Sequence, residues 1–406
     1  MTQVALEGRV VKVLTFAQIL NGIGVAGTVA AGSLLVSSVT HSDSLAGLAQ
    51  TSAVLGAAAM ALPLSKLTER GGRRVALSIG YTIGVLGAGF AIIGGTFRII
   101  SVLLLGTFLL GAASAAGYQA RFAAIDLASP ESRSRSLSIV VWGSTVGAVS
   151  GPNLMEPAGV IAHAFGLPRL VGPYLLAIAT LSVSSLIIFY FLRPDPYLTS
   201  RNITAQGGAV NPVQLSTRAT LRMIGENSQA LFAVVSIAVG HLSMVTIMVM
   251  TPIHMAHVNV TLSVIGIVIS THIAGMYVLS PLVGYLSDTI GRKRVIQMGL
   301  VILLLAALIS GNSSGDSTIP LGIGLFLLGL GWSCTLIAGS ALLSESVGDN
   351  ERASSQGASD FMMNLTGAVG GVMAGIVIAL LSFGWLCALA SLPVLALAAW
   401  SYRLGK

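Results

Sequence analysis

Residues 284–294 read GYLSDTIGRKR, and residues 65–74 read SKLTERGGRR. Set in register, Leu67 falls on Leu286, Glu69 on Asp288, Gly72 on Gly291 and Arg73 on Arg292, an offset of 219 residues. The same offset carries Asp126 and Arg133 onto Glu345 and Arg352. One spacing that relates two separate pairs of polar segments marks an internal duplication. Each of these segments is short, and each is bounded on both sides by long apolar runs.

Those runs decide the solvent. Of 406 residues 54% are hydrophobic and 9% charged, against about a quarter charged in an ordinary soluble domain. A chain this poor in charge lacks the polar surface to face water everywhere, so much of it faces lipid. Its 48 glycines suit close helix packing in a bilayer. A crossing takes about 20 apolar residues. Twelve such segments are predicted, at 13–39, 44–66, 74–96, 99–126, 136–164, 170–193, 229–256, 260–287, 294–312, 318–345, 355–382 and 384–403. The expected fold is an all-α membrane protein with twelve transmembrane helices in two six-helix pseudo-symmetric halves, residues 1–193 and 229–406. The stretch 194–228, with Pro194, Pro196, Gly207, Gly208 and Pro212, is expected to be a cytoplasmic linker.

The net charge of +7 does not imply nucleic acid, because the basic residues are confined to loops between apolar runs. With both termini cytoplasmic, only Arg98 and Arg169 of the 21 lysines and arginines fall outside. That asymmetry predicts a multi-pass protein of the plasma (inner) membrane in this orientation. Glu7, Arg9 and Lys12 lead into the first apolar run with no cleavage-site pattern, so a signal peptide is not expected. Cys334 and Cys387 stand apart in apolar runs and form neither a disulfide framework nor a metal motif. No phosphate-binding loop, GxSxG or HExxH is present, so an enzyme is not expected and no cofactor is called for. The expected partners are lipid and a small solute or ion, with the protein a monomer.

Together, the doubled GYLSDTIGRKR-like motif, the twelve spans and the central linker resemble the major facilitator superfamily over the whole chain. The first copy departs from the family pattern at Ser65 and Glu69, where Gly and Asp are usual. The resemblance implies a secondary transporter working by alternating access. It also implies that Glu69, Gly72, Arg73, Asp288, Gly291 and Arg292 form a conformational latch at the cytoplasmic face. Independently, Asp288 is placed to cap a helix N-terminus or to pair with Arg292.

Charges inside the spans are few. Glu156 lies late in the fifth and Asp360 early in the eleventh, and either is a candidate for proton coupling. Arg121 lies near the end of the fourth. The fifth span contains GSTVGAVSGPNLMEPAG from Gly143, which resembles the Gly-Pro motif of drug:proton antiporters. The simpler reading is that small residues four apart let helices approach closely.

The seventh span reads GHLSMVTIMVMTPIHMAH and the eighth STHIAGMYVLSP. Met244 and Met248 are four apart and share a helix face, as do His272 and Met276. Counted back from a turn near His257–Val260, Met244 and His272 fall at similar depth. Three thioethers and an imidazole are a soft, neutral set that suits Cu(I) over hard cations. MxxxM followed by HxxxM resembles the paired motif of CcoA-type copper importers. That resemblance implies Met244, Met248, His272 and Met276 as copper ligands and copper as cargo. A proton-coupled drug or metabolite antiporter of the same superfamily is the alternative. The 219-residue offset places Val25, Val29, Ala53 and Ala57 opposite the four, so the duplication is one-sided here.

Overall fold

The computed structural model describes residues 3–41, 45, 47–206, 216–256, 260 and 262–403. His257, Gly207, Gly208 and Pro212, used above to place a turn and a linker, lie outside them. The described residues form fifteen α-helices: α1 Gln3–Thr40, α2 Leu48–Thr96, α3 Ile100–Ala123, α4 Arg133–Asn153, α5 Met155–Ala164, α6 Gly172–Phe191, α7 Pro196–Gln206, α8 Thr217–Glu226, α9 Ser228–Ala256, α10 Leu262–Tyr277, α11 Ser280–Ile290, α12 Arg292–Gly311, α13 Thr318–Ser346, α14 Arg352–Leu380 and α15 Phe383–Arg403. A 3-10 turn, Arg169–Val171, precedes α6.

Every predicted span is occupied by helix, and three details differ. The second and third spans run together in α2, whose 49 residues would reach about 74 Å at 1.5 Å per residue, more than two hydrocarbon thicknesses. The break between them is a single residue, Gly72, at φ 81° and ψ 175°. The fifth span is interrupted after Asn153, giving α4 and α5, and the eighth is interrupted at Val278 and Leu279 before Pro281. By length and hydropathy alone ten helical stretches among the described residues can cross a membrane. The count falls below twelve because α2 contains two crossings and the α4–α5 region is short and polar. The 194–228 connection is not featureless, since it contains α7 and α8.

Contacts divide the chain into two compact units. One comprises Met1–Ala128, Ile139–Thr220 and Asp349–Phe361; the other comprises Ser129–Ser138, Leu221–Gly348 and Met362–Lys406. The first unit thus includes the opening turns of α14, and the second includes the opening turn of α4. In the first, α2 packs along α3 and α1 along α6, around buried Leu14, Leu35, Leu77, Tyr81, Leu103 and Leu181. In the second, α13 is the central element, with α12, α10 and α9 packed on it.

Small residues set the helix spacing. A Cβ at Gly22 of α1 would lie 2.9 Å from Gly147 Cα of α4, and one at Gly151 would lie 2.7 Å from the Gly27 nitrogen. The two backbones therefore touch, as interfaces without a hydrophobic drive between helices require. The glycines of GSTVGAVSG accordingly have a packing role, the simpler of the two readings above.

Candidate functional site

The duplicated motif forms two ion-pair networks of the same plan. In the second unit Asp288, at the end of α11, accepts hydrogen bonds from the backbone N–H groups of Ser134 (3.0 Å) and Arg135 (2.8 Å), at the start of α4. A carboxylate there meets unsatisfied amides and the positive end of the helix dipole. Arg292 pairs with Asp288 at 2.7 Å and with Glu345 at 2.9 Å, and also donates to the Pro130 carbonyl. Both roles expected of Asp288, cap and pair, are present together.

In the first unit Glu69 takes the place of Asp288. It accepts from the Ser354 hydroxyl near the start of α14, and Ser354 is the 219-residue counterpart of Arg135. Arg73 grips Asp126 with two hydrogen bonds, Nε to Oδ2 at 2.8 Å and Nη2 to Oδ1 at 3.2 Å, and donates to Gln356 Oε1 as well. Both side chains of this pair are 1% exposed. From the start of α7, Asp195 accepts from the Arg74 backbone N–H at 2.7 Å, and Tyr197 lies under the Arg73 guanidinium. Sequence reading missed Gln356 and Asp195. Neither obeys the 219-residue repeat that revealed the rest.

Gly72 and Gly291, at φ 81° and 102°, turn the chain just before the two arginines. An L side chain in that backbone region is strained by about 1–3 kcal/mol. A Cβ at Gly72 would also sit 2.4–2.6 Å from the Asp195 carboxylate, whereas one at Gly291 meets nothing within 4 Å. Gly72→Ala is therefore expected to lower the thermal unfolding midpoint of the purified protein more than Gly291→Ala. Equal shifts would show that the Asp195 contact is immaterial.

The Met/His residues lie in the second unit, around α13. Leu325, Gly329, Trp332, Thr335 and Gly339 recur every three or four residues and share one face of that helix. α10 lies against the first part of this face: His272 Nδ1 is 2.8 Å from the Leu325 carbonyl oxygen, and a Cβ at Gly329 would touch Met276. α9 lies against the last part, with Gly240 against Thr335 and Ile237 against Gly339. Trp332 joins the two. Its indole N–H donates to His241 Nδ1 at 3.1 Å, and its ring meets Tyr277 edge-on at 5.8 Å. From that level Met276 is one residue along α10 and His272 five, while Met244 is three along α9 and Met248 seven. At 1.5 Å per residue all four fall within a layer about 9 Å deep, with Met244 and His272 about 3 Å apart along the axis. Met244, His272 and Met276 are buried and Met248 is half-buried. α9 and α10 themselves touch only slightly, so His272 and Met276 rest on α13 rather than on the methionines of α9.

His272 is the best-defined of the four. A carbonyl oxygen only accepts, so Nδ1 carries the proton and donates to Leu325. Nε2 then holds the lone pair, and it is buried without a hydrogen-bond partner. An imidazole pinned through one nitrogen with the other open is the arrangement of a metal ligand. Among the described residues no cluster of three or more His, Cys, Asp or Glu side chains could hold a metal ion, so any such site would take thioether sulfurs.

The remaining candidates separate. Glu156 is 79% exposed and pairs with Arg169 at 3.5 Å. Asp360 is fully buried and pairs with Arg121 at 2.5 Å. A polar group also occupies the first unit. Gln18 of α1 donates to Ser144 Oγ of α4 at 2.9 Å, and Gly117 of α3 leaves room for the Asn21 amide. Gln18 Oε1 and Asn21 Oδ1 are buried without partners, and Asn21 is 5% exposed. Amides inside an apolar span were visible in the sequence as costly residues, but nothing local showed that they converge.

Apolar helices long enough to cross a membrane, with a duplicated polar network at the helix ends, define a polytopic transporter built from a repeated helical unit. The chain belongs to the Major Facilitator Superfamily, whose sequence profile matches residues 14–248 and 230–405; it is a secondary transporter of that superfamily. It is 36% identical over 377 residues to the MFS-type transporter YdeG of Bacillus subtilis (strain 168), covering 93% of this chain and 87% of that one. It is 26% identical over 394 residues to the riboflavin transporter RfnT of Brucella anthropi, covering 95% and 92%. In fold it is similar to the crystal structure of the human organic anion transporter MFSD10, with a TM-score of 0.77 at 16% identity, covering 97% of this chain and 98% of that one.

Proposed function

We propose that this transporter imports copper by alternating access of its two six-helix halves, with Met244, Met248, His272 and Met276 as the cargo ligands. The observation that carries the reading is His272, buried in mid-span with Nδ1 committed to Leu325 and Nε2 open, one turn from Met276. A neutral imidazole with thioethers suits Cu(I) and adds no charge of its own to the membrane interior. The excess of Lys and Arg supports a topology in which the termini, the 194–228 connection and the latch residues Glu69, Gly72, Arg73, Asp288, Gly291 and Arg292 face the cytoplasmic side of the plasma membrane. The latch then holds that side closed while cargo loads from outside.

The test is Cu(I) uptake into proteoliposomes. His272→Ala and Met244→Ala are each expected to reduce initial uptake at least about tenfold, the loss for about 1.4 kcal/mol of binding. Uptake unchanged in both variants would sink the assignment.

One observation favours a second reading, transport of a hydrogen-bonding organic solute. Gln18 and Asn21 offer two unpartnered amide oxygens beside Ser144, and such acceptors suit a solute with N–H or O–H donors. A relative named as a riboflavin transporter makes riboflavin the first solute to try. Riboflavin uptake lost in Asn21→Leu and retained in His272→Ala would replace the copper reading.

A further inference from the structure

Three arginines gather at the C-terminal end of α6. Arg9 of α1 donates through Nη2 to the Phe191 carbonyl at 3.4 Å. The guanidinium carbons of Arg74, on α2, and of Arg193, just beyond α6, lie 5.3 and 5.6 Å from the centroid of one ring, that of Phe189. Arg9 and Arg193 are exposed and Arg74 is half-buried. Among the described residues none of the three pairs with a carboxylate. Asp195, two residues after Arg193, uses both oxygens on backbone N–H groups, Oδ2 on that of Arg74 and Oδ1 on that of Leu198.

Other arginines of the same compact unit are built differently. Arg73 pairs with Asp126, and Arg352 with Asp349. Holding a helix end explains Arg9, because a cation there meets the last carbonyls and the negative end of the dipole. Charge asymmetry across the membrane explains basic residues in these loops, but it asks only for their presence and not for two on one ring. Like charges gathered without a counter-ion repel one another, so the arrangement favours an added anion. The 219-residue offset sets Lys293 opposite Arg74 but Ser228 opposite Arg9. The duplication thus retains one cation and not the cluster.

The surroundings select the kind of anion. The three arginines stand at the ends of three apolar runs, 13–39, 74–96 and 170–193. Phe189, Tyr190 and Phe191 are exposed beside them, as aromatic side chains are at headgroup level. Farther into the runs Leu186 of α6 and Ile79 of α2 are exposed as well. The two helices are tied together at this level, where Ser185 Oγ donates to the Ser78 carbonyl at 3.0 Å. Cations at the rim of an apolar face match an amphiphile with an anionic head and hydrocarbon tails. We propose that this corner of the first unit binds an anionic phospholipid of the cytoplasmic leaflet. Its phosphate sits on Arg74 and Arg193 with Arg9 beside them, and an acyl chain runs along Leu186 and Ile79. The planar guanidinium fork suits phosphate oxygens, and basic pockets between helices on this side of a membrane hold such headgroups. The choice of leaflet follows the topology above, whereas binding itself depends on neither the topology nor the cargo.

The experiment uses the purified full chain in detergent micelles, without copper. Native mass spectrometry measures bound lipid as phosphatidylglycerol or phosphatidylcholine with the same acyl chains is added. Phosphatidylglycerol is expected to bind at least about tenfold more tightly, because only it carries a net negative charge. Arg74→Gln combined with Arg193→Gln should lower its affinity about thirtyfold, at the contribution of each basic residue near an anionic surface, and leave phosphatidylcholine unchanged. Arg218→Gln removes an exposed cation of α8 outside the cluster and should alter neither. Arg74→Lys with Arg193→Lys should keep part of the preference, which guards against a glutamine variant that merely folds poorly. Equal affinity of the wild type for the two lipids, or phosphatidylglycerol binding undiminished in the glutamine variant, would overturn the proposal. Displacement of phosphatidylglycerol by inorganic phosphate at matching concentration would also overturn it, by assigning the cluster to a free anion. Copper is absent throughout, so no outcome bears on the ligand assignment.

Discussion

Arg73→Ala is expected to destabilise the protein by about 3–5 kcal/mol, the range for removing one partner of a buried ion pair. The estimate applies because both side chains are 1% exposed and joined by two hydrogen bonds. The variant strands Asp126 with its charge and removes the hydrogen bond that Arg73 donates to Gln356. The measurement is the thermal unfolding midpoint of the purified protein. Replacing both partners, as Arg73→Met with Asp126→Leu, should recover most of the loss, because no charge is then left buried. A double variant as unstable as the sum of the singles would refute the pairing argument. The duplicate supplies a control. Arg292 is 10% and Glu345 27% exposed, so water compensates part of the loss and Arg292→Ala is expected to shift the midpoint less. The two networks share a plan but differ in cover, because Tyr197 and Asp195, at the start of α7, lie only over the first.

Gly147→Leu is expected to leave little folded protein. A Cβ at this position would lie 2.4 Å from Gly22 Cα and 2.7 Å from the Ile23 nitrogen. The obstacle is backbone on both helices, so no rotamer change relieves it and α1 and α4 must separate. Overpacking a core costs about 1–3 kcal/mol when side chains can give way, and here they cannot. Gly89 of α2 is the contrast, since a Cβ there meets nothing within 4 Å. Gly89→Ala should be neutral or stabilising by up to about 1 kcal/mol, the helix preference for alanine. Yield and monodispersity of the two variants after purification would separate these outcomes. Intact, monodisperse Gly147→Leu protein would show that α1 and α4 do not make this contact.

The resemblance of GSTVGAVSG to an antiporter motif was a weaker guide to function than the spacing of its glycines was to packing. Four-residue spacing states only that the glycines share a helix face, and α1 supplies the reason for it. The methionine and histidine spacings were legible in the same limited way. They place Met244 with Met248 and His272 with Met276, but each helix face meets α13 before it meets the other, and only the packing of α13 shows that.

Hydropathy, charge asymmetry and the 219-residue repeat are properties of the chain read locally or against itself. From them the sequence alone determined a membrane protein, twelve apolar segments, and a polar motif that recurs with its glycine and arginine at residues 72–73 and 291–292. The tertiary structure decided what those properties leave open. It joined Arg121 to Asp360 across 239 positions and Arg73 to Gln356 across 283. It also brought Asp195 to the end of the break in α2 and fixed which nitrogen of His272 is free. The physical reason is the same in each case. A buried charge or imidazole must find a partner, but which partner it finds is set by the packing of helices distant in the chain, and no local pattern encodes that choice.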